Sequence, residues 1–171
     1  MTLTRRALFA GFGALTLASA VSVSSASAQP GLRIRAIKVD VSPIRASMGD
    51  PTAAWVEEAL PPALAQALAP YMAPGDRNGA TLVARIDYLY LGPSSGGGGG
   101  FGGFRRTQDT INGTLLVKGP RGGLAANVPL RAISTYFPMA VDQTLVERAL
   151  QGRVVALSQA FAGWAPRELG L

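Results

Sequence analysis

Seven glycines fall in the eight positions from Gly96 to Gly103, and Gly98, Gly100 and Gly103 match the spacing G-x-G-x-x-G. That spacing cradles a pyrophosphate only between a strand and a helix whose N-terminal amides face the phosphates. Here "FRRTQDTINGTLLV" follows, and it alternates as a strand does. There is no G-K-[ST] for a P-loop and no βαβ unit carrying the ribose-binding acid. The match is a consequence of glycine content, and no nucleotide or other cofactor is expected.

Histidine and cysteine are both absent. The commonest general base, the commonest transition-metal ligand, thiolate chemistry and disulfides go with them. The ten acids are Asp40, Asp50, Glu57, Glu58, Asp76, Asp87, Asp109, Asp142, Glu147 and Glu168. Most of them fall on expected outer faces, caps or turns. Glu57 and Glu58 are neighbours on a helix and point about 100° apart, so they make no catalytic pair. Asp87 lies near Arg85 on the polar side of a strand, where a surface pairing explains it. No serine stands in a G-x-S-x-G elbow. A non-catalytic protein is therefore expected, with a divergent hydrolase as the remainder.

The far end of the glycine stretch offers another chemistry. Phe101 and Phe104 lie beside Arg105 and Arg106. Aromatic rings next to cations suit an anionic lipid surface or an aromatic-lined groove. The bland alternative is a slack connection between two strands, 92–106, as glycine-rich segments usually are.

The elements around that stretch are legible from periodicity. "GLRIRAIKVDV" reads as a strand whose apolar phase slips near Ala36, as a β-bulge would make it, and it should end by Ser42 and Pro43. "DPTAAWVEEALPPALAQALAPYM" reads as helix, with Asp50 as N-cap and Pro51 at the first helical position. Pro61 and Pro62 should break or kink it. Trp55, Val56, Ala59 and Leu60 form its inner stripe, and Leu60, Leu64, Leu68 and Tyr71 continue one face. In "ATLVARIDYLYLG", Leu82, Ala84, Ile86, Tyr88 and Tyr90 share one face, and Val83, Arg85, Asp87, Leu89 and Leu91 the other. "DTINGTLLVKG" puts Ile111, Gly113, Leu115 and Val117 on one side. "GPRGG" makes a hairpin, and Leu124, Ala126, Val128 and Leu130 point inward from the return strand, where Pro129 marks an edge or a bulge. Leu150, Val154, Leu157, Phe161 and Trp164 form the stripe of a last helix, capped by Thr144 with Glu147 or by Asp142 and ended by Gly163 and Pro166. The order β-α-β-β-β-α predicts an α+β fold, a three- or four-stranded mainly antiparallel sheet with two helices on one face. The first two strands, joined through a helix, are either parallel neighbours or separated in the sheet.

The N-terminus reads as an address. "MTLTRR" is basic, Ala7 to Val23 is an apolar run, and Ala26 and Ala28 stand in the small-x-small pattern of a cleavage site. This is the layout of a signal peptide over 1–28, cut after Ala28, which leaves one domain over 29–171. Arg5 and Arg6 in "TRRALF" match a twin-arginine export motif. The alternative is an uncleaved inner-membrane anchor, although the run is short and diluted for a lipid-spanning helix. Cleavage removes Arg5 and Arg6, so the net charge falls from +6 to +4, fourteen basic residues against ten acidic. That modest excess, the scattered arginines and the exported compartment argue against nucleic acid as a partner.

The segments "LRIRAIKVDV", "LPPALAQAL", "ATLVARIDYLYLG" and "INGTLLVKGPRGG", closed by an amphipathic helix, resemble small exported α/β proteins of the Gram-negative envelope. These include the auxiliary lipoproteins of transport systems and the lipoprotein plug of the lipopolysaccharide translocon. The resemblance implies a periplasmic or secreted protein that binds or scaffolds an envelope component, as an auxiliary of a transport or outer-membrane assembly system. Those proteins carry a lipidated cysteine after the signal, and this chain has none. The alternative expectation is a peripheral membrane protein using Phe101 to Arg106. The expected partners are an envelope protein or lipid, or a strand of a partner or of a second copy paired at the open edge that Pro129 marks.

Overall fold

The computed structural model describes residues 31–92, 107–136 and 146–171. Their elements are β1 (Ile34–Asp40), α1 (Ser42–Met48), α2 (Asp50–Ala67), a 3-10 turn (Ala69–Tyr71), β2 (Ala80–Tyr90), β3 (Thr107–Lys118), β4 (Leu124–Tyr136) and α3 (Val146–Glu168). The four strands form one sheet in the order β1-β2-β3-β4. β1 and β2 are parallel, and the other two pairs are antiparallel. The α+β layout expected from periodicity is therefore present, with one helix more than expected.

β1 slips register between Ile34 and Ala36, where its apolar phase changes. The bulge lets Ile34 reach the core and still leaves Ile37 and Val39 on the core face beyond it. β3 alternates without interruption, so Ile111, Leu115 and Val117 are buried. β4 is an edge strand, and its Pro129, which has no N–H to donate, sits opposite Thr114. The β3–β4 hairpin closes through Gly119 and Gly122, whose φ of 84° is open to glycine.

The helices cover one face of the sheet. Ala53, Val56, Leu60, Leu64 and Leu68 of the α2 region meet Val154, Leu157, Phe161 and Ala165 of α3 in one apolar cluster with the sheet. A side chain the size of Phe161, wholly buried, contributes about 3 kcal/mol by burial alone.

Several expectations are corrected. Pro61 and Pro62 do not break α2, which runs unbroken from Asp50 to Ala67. The carbonyls they leave without partners belong to Glu57 and Glu58, exposed residues on the water side, where solvent supplies donors. Asp50 makes no side-chain cap; Gly49 (φ 84°) holds that position. Asp50 instead pairs with Arg45 at 3.0 Å, and Arg45 reaches Glu57 at 2.8 Å, which ties α1 to α2. α1 itself follows the end of β1 directly and buries Ile44; its seven residues are too few to show a helical period. α3 continues through Gly163 and Pro166 to Glu168, and the chain turns at Gly170 (φ 71°). Trp164 lies outside the stripe, 45% exposed, with Arg167 stacked 5.2 Å from its ring centre, and Ala165 takes the buried place. Leu124, expected inward, is exposed at the start of β4.

The largest correction concerns β2. Its register shifts between Ile86 and Tyr88, so Asp87 is the extra residue of a second bulge. The alternation inverts there. Leu89 joins Leu82, Ala84 and Ile86 in the core, while Tyr88 and Tyr90 turn to the uncovered face.

One ionic turn carries a pH signature. Asp40 closes β1, and Ser42 lowers its pKa from 3.8, first by a side-chain and then by a backbone hydrogen bond, the latter at 3.0 Å. Arg85 and Lys118 add to the same direction. A carboxylate with a depressed folded pKa stabilises the fold above its unfolded value and loses that contribution as pH falls through the folded one. Asp40→Asn is therefore expected to cost about 0.5–1 kcal/mol at pH 7, as a local hydrogen bond of this kind does. Below pH 3.8 the difference from wild type should shrink toward zero in urea melts. A difference independent of pH would refute the assignment.

Candidate functional site

Two features depart from plain packing. The first is a buried ionic knot. Asp109 occupies the core face of β3, in phase with Ile111, Gly113 and Leu115, and is wholly buried. Arg153 enters from α3 and is nearly as buried. Its Nε donates to Asp109 Oδ2 at 2.8 Å, and its Nη2 donates to Asp109 Oδ1. The same Nη2 donates to the carbonyl of Gly92 at 2.5 Å, and the Gly92 N–H donates to Asp109 Oδ1 at 3.0 Å. Both charges are thus compensated by a bidentate pair and by one backbone unit. The carboxylate accepts three hydrogen bonds and is wholly buried, so it is tied into the fold. The knot joins the last described residue of β2's exit, the start of β3 and the N-terminal half of α3.

Most of the acids were expected on outer faces, caps or turns; the structure places Asp109 in the core. A signal existed. Asp109 shares the parity of the apolar face of β3, and Arg153 stands four residues before Leu157 on the stripe of α3. Neither charge alone looks buried, and only their meeting across 44 residues makes burial affordable.

The second feature is the uncovered face of the sheet. Register sets Tyr88, Asn112 and Arg131 in one row across β2, β3 and β4, and Tyr90, Thr110 and Ile133 in the next row. Tyr88, Tyr90 and Ile133 are 51%, 46% and 44% exposed, and they form an aromatic and aliphatic band across the sheet. The Asp87 bulge that turns the tyrosines outward is held on the same face. Arg85 Nε lies 3.0 Å from Asp87 Oδ1, and the Thr114 hydroxyl donates to Asp87 Oδ2 at 3.1 Å. This is the surface pairing expected for Asp87. It leaves the carboxylate engaged on both oxygens.

The glycine match has no helix after it. β2 is followed by β3, an antiparallel strand, so the context a phosphate site requires is missing. Phe101, Phe104, Arg105 and Arg106 lie outside the described residues, as do Arg5, Arg6, Ala26 and Ala28 of the export signal and the expected caps Asp142 and Thr144. Among the described residues no group of three or more acids could hold a metal ion, and no helix is long and apolar enough to cross a membrane.

The fold defines an α+β protein built on a four-stranded mixed sheet, with helices on one face and, among the described residues, no element packed on the other. Its outline is similar to two solved structures. One is a protein of Caulobacter crescentus CB15 provisionally termed a lipoprotein, with 14% identity over 80% of this chain and 84% of that one, at a TM-score of 0.47. The other is a minor lipoprotein of Acinetobacter baumannii, with 9% identity over 80% and 94% of the chains, at a TM-score of 0.38. No protein-family model and no curated protein matches the chain.

Proposed function

We propose that this chain is a non-catalytic exported protein of the bacterial envelope that binds or scaffolds an envelope component, as an auxiliary of a transport or outer-membrane assembly system. The observation that carries the reading is the uncovered sheet face, which presents Tyr88, Tyr90 and Ile133 to solvent while the opposite face is packed. Exposed aromatic bands of this kind mark interaction surfaces. The engagement of Asp109 by Arg153 and Gly92, and of Asp87 by Arg85 and Thr114, supports a binding role over acid–base chemistry. The three-part N-terminus supports export.

Cell fractionation with mass spectrometry of the N-terminus tests this reading. The expected result is an envelope or periplasmic chain that begins at Gln29, with export blocked by Arg5→Lys together with Arg6→Lys. A cytoplasmic chain that keeps residues 1–28 would overturn it. So would turnover of cell-wall glycan or ester substrates that Asp87→Asn or Asp109→Asn abolishes.

A second reading has Phe101, Phe104, Arg105 and Arg106 as a membrane contact. What favours it is position: the chain leaves β2 just beyond Tyr90, at the end of the sheet where the exposed band lies. Phe101→Ala with Phe104→Ala then removes vesicle binding. Unchanged binding in that variant excludes the segment.

A further inference from the structure

We infer that the uncovered sheet face is a docking surface for an anionic lipid bilayer. Outside the connecting loops, the charge of the described residues is divided between the two layers. On the open face Lys38 stands beside Val83, Lys118 beside Thr81, and Arg131 beside Asn112. Arg35 reaches the same face, where its Nε donates to Thr81 Oγ1 at 3.2 Å. The face carries two acids against five cations: Asp87 lies against Arg85 and accepts from Thr114, and Asp40 accepts from Ser42 in the field of Arg85 and Lys118. Lys38, Lys118 and Arg131 form no ion pair among the described residues. The helical layer has the opposite balance, with Asp50, Glu57, Glu58, Glu147 and Glu168 against Arg45, Arg148 and Arg167 outside the buried knot. A molecule polarised in this way is oriented by a negatively charged plane.

The rest of the face fits the same partner. Tyrosine is apolar along its ring and polar at its tip, and it concentrates where hydrocarbon gives way to water. Tyr88, Tyr90 and Ile133 place such side chains in one band, with Arg131 beside it. The cations are spread over several strands, each about 4.8 Å from the next. Charges separated across the sheet in this way suit an extended anionic surface better than a single anion. A second copy meeting the same face would bring Lys38, Lys118 and Arg131 against their own kind, which is repulsive.

The test uses the chain from Gln29, which contains every described strand and helix. The probe is a vesicle of phosphatidylglycerol and phosphatidylethanolamine, with phosphatidylcholine vesicles as the uncharged comparison. The wild type should partition onto the anionic vesicles at low salt, and weakly or not at all onto phosphatidylcholine. Raising the salt from 0.1 M to 1 M should release it, because the screening length falls from about 10 Å to about 3 Å. Each cation near an anionic surface contributes about fivefold. Lys38→Gln, Lys118→Gln and Arg131→Gln combined should lower partitioning roughly a hundredfold, with the melting transition unchanged. Tyr88→Ser with Tyr90→Ser should also lower partitioning onto the anionic vesicles at low salt.

Failure of wild type to partition, or wild-type partitioning by the triple variant, overturns the inference. So does loss of binding in Phe101→Ala with Phe104→Ala while the triple variant still binds, since the contact then belongs to that segment. The inference rests on the envelope reading only for where such a bilayer is met. An exported chain that ignores vesicles refutes the docking face alone. A chain that binds through this face yet stays in the cytoplasm refutes the envelope reading alone.

Discussion

Asp109→Ala should cost about 3–5 kcal/mol of stability, because it leaves the Arg153 guanidinium buried with only the Gly92 carbonyl as partner. A domain of this size is stable by about 5–15 kcal/mol, so the variant should lie close to its unfolding threshold at ambient temperature. Arg153→Ala should cost a similar amount, since a buried carboxylate then keeps only the Gly92 N–H. The informative variant removes both charges. Asp109→Leu with Arg153→Met replaces a buried pair by apolar groups of similar volume, which is often neutral or stabilising. Urea melts of the two single variants and the double variant give the coupling energy directly. The double should recover part of what either single loses, the remainder being the cost of leaving the Gly92 N–H and carbonyl without these partners. If it is as unstable as the singles added together, the pair is not the unit described here. High salt should change none of these values much, because the pair is shielded from solvent ions.

Gly113→Ala should cost about 1–3 kcal/mol, and Gly113→Val more. Gly113 is in β3, opposite Ile86 and next to the Asp87 bulge. A Cβ there would lie 2.4 Å from the Arg85 carbonyl oxygen and 3.0 Å from Ile86 Cδ1. The first contact is with backbone, which cannot rotate away, so the bulge itself must move. The expected change is therefore twofold: a lower melting temperature and altered surroundings of Tyr88 and Tyr90, visible in near-ultraviolet circular dichroism. Gly122→Ala is the control. It meets no neighbouring atom, and its cost is confined to the strain of its positive φ. Wild-type melting and tyrosine signals in Gly113→Ala would show that the bulge is not held by this approach.

Where the sequence was legible, one element carried its own evidence. The alternation of Ile111, Gly113, Leu115 and Val117 needs no knowledge of what packs above it. The stripe Leu60, Leu64, Leu68 on α2 and the stripe Val154, Leu157, Phe161 on α3 are of the same kind. The bulge in β1 was readable because the apolar phase itself slips near Ala36. In β2 the phase carries no such mark. Tyr88 and Leu89 are both acceptable on an apolar face, so either continuation satisfies the pattern, and the pairing with β3 chooses. The burial of Asp109 could not be fixed from sequence for a related reason. A lone acid has a poor chance of burial, and its partner came from the other end of the chain.

The residues by themselves determined the order of the strands and the two long helices, the α+β class, the apolar face of β3, most of the stripes of the long helices, and an edge or a bulge for the strand holding Pro129. These depend on local periodicity and on what a proline lacks. Tertiary structure decided the rest. It paired β1 with β2 in parallel, turned Tyr88 and Tyr90 to the open side, carried α2 through two prolines and closed the Asp109–Arg153 knot. Each of these depends on a partner distant in sequence, or on solvent supplying the hydrogen bonds that the chain forgoes. The open face follows from the same cause. Its chemistry is present in the order of residues, but only the register across the strands gathers Tyr88, Tyr90, Arg131 and Ile133 onto one surface.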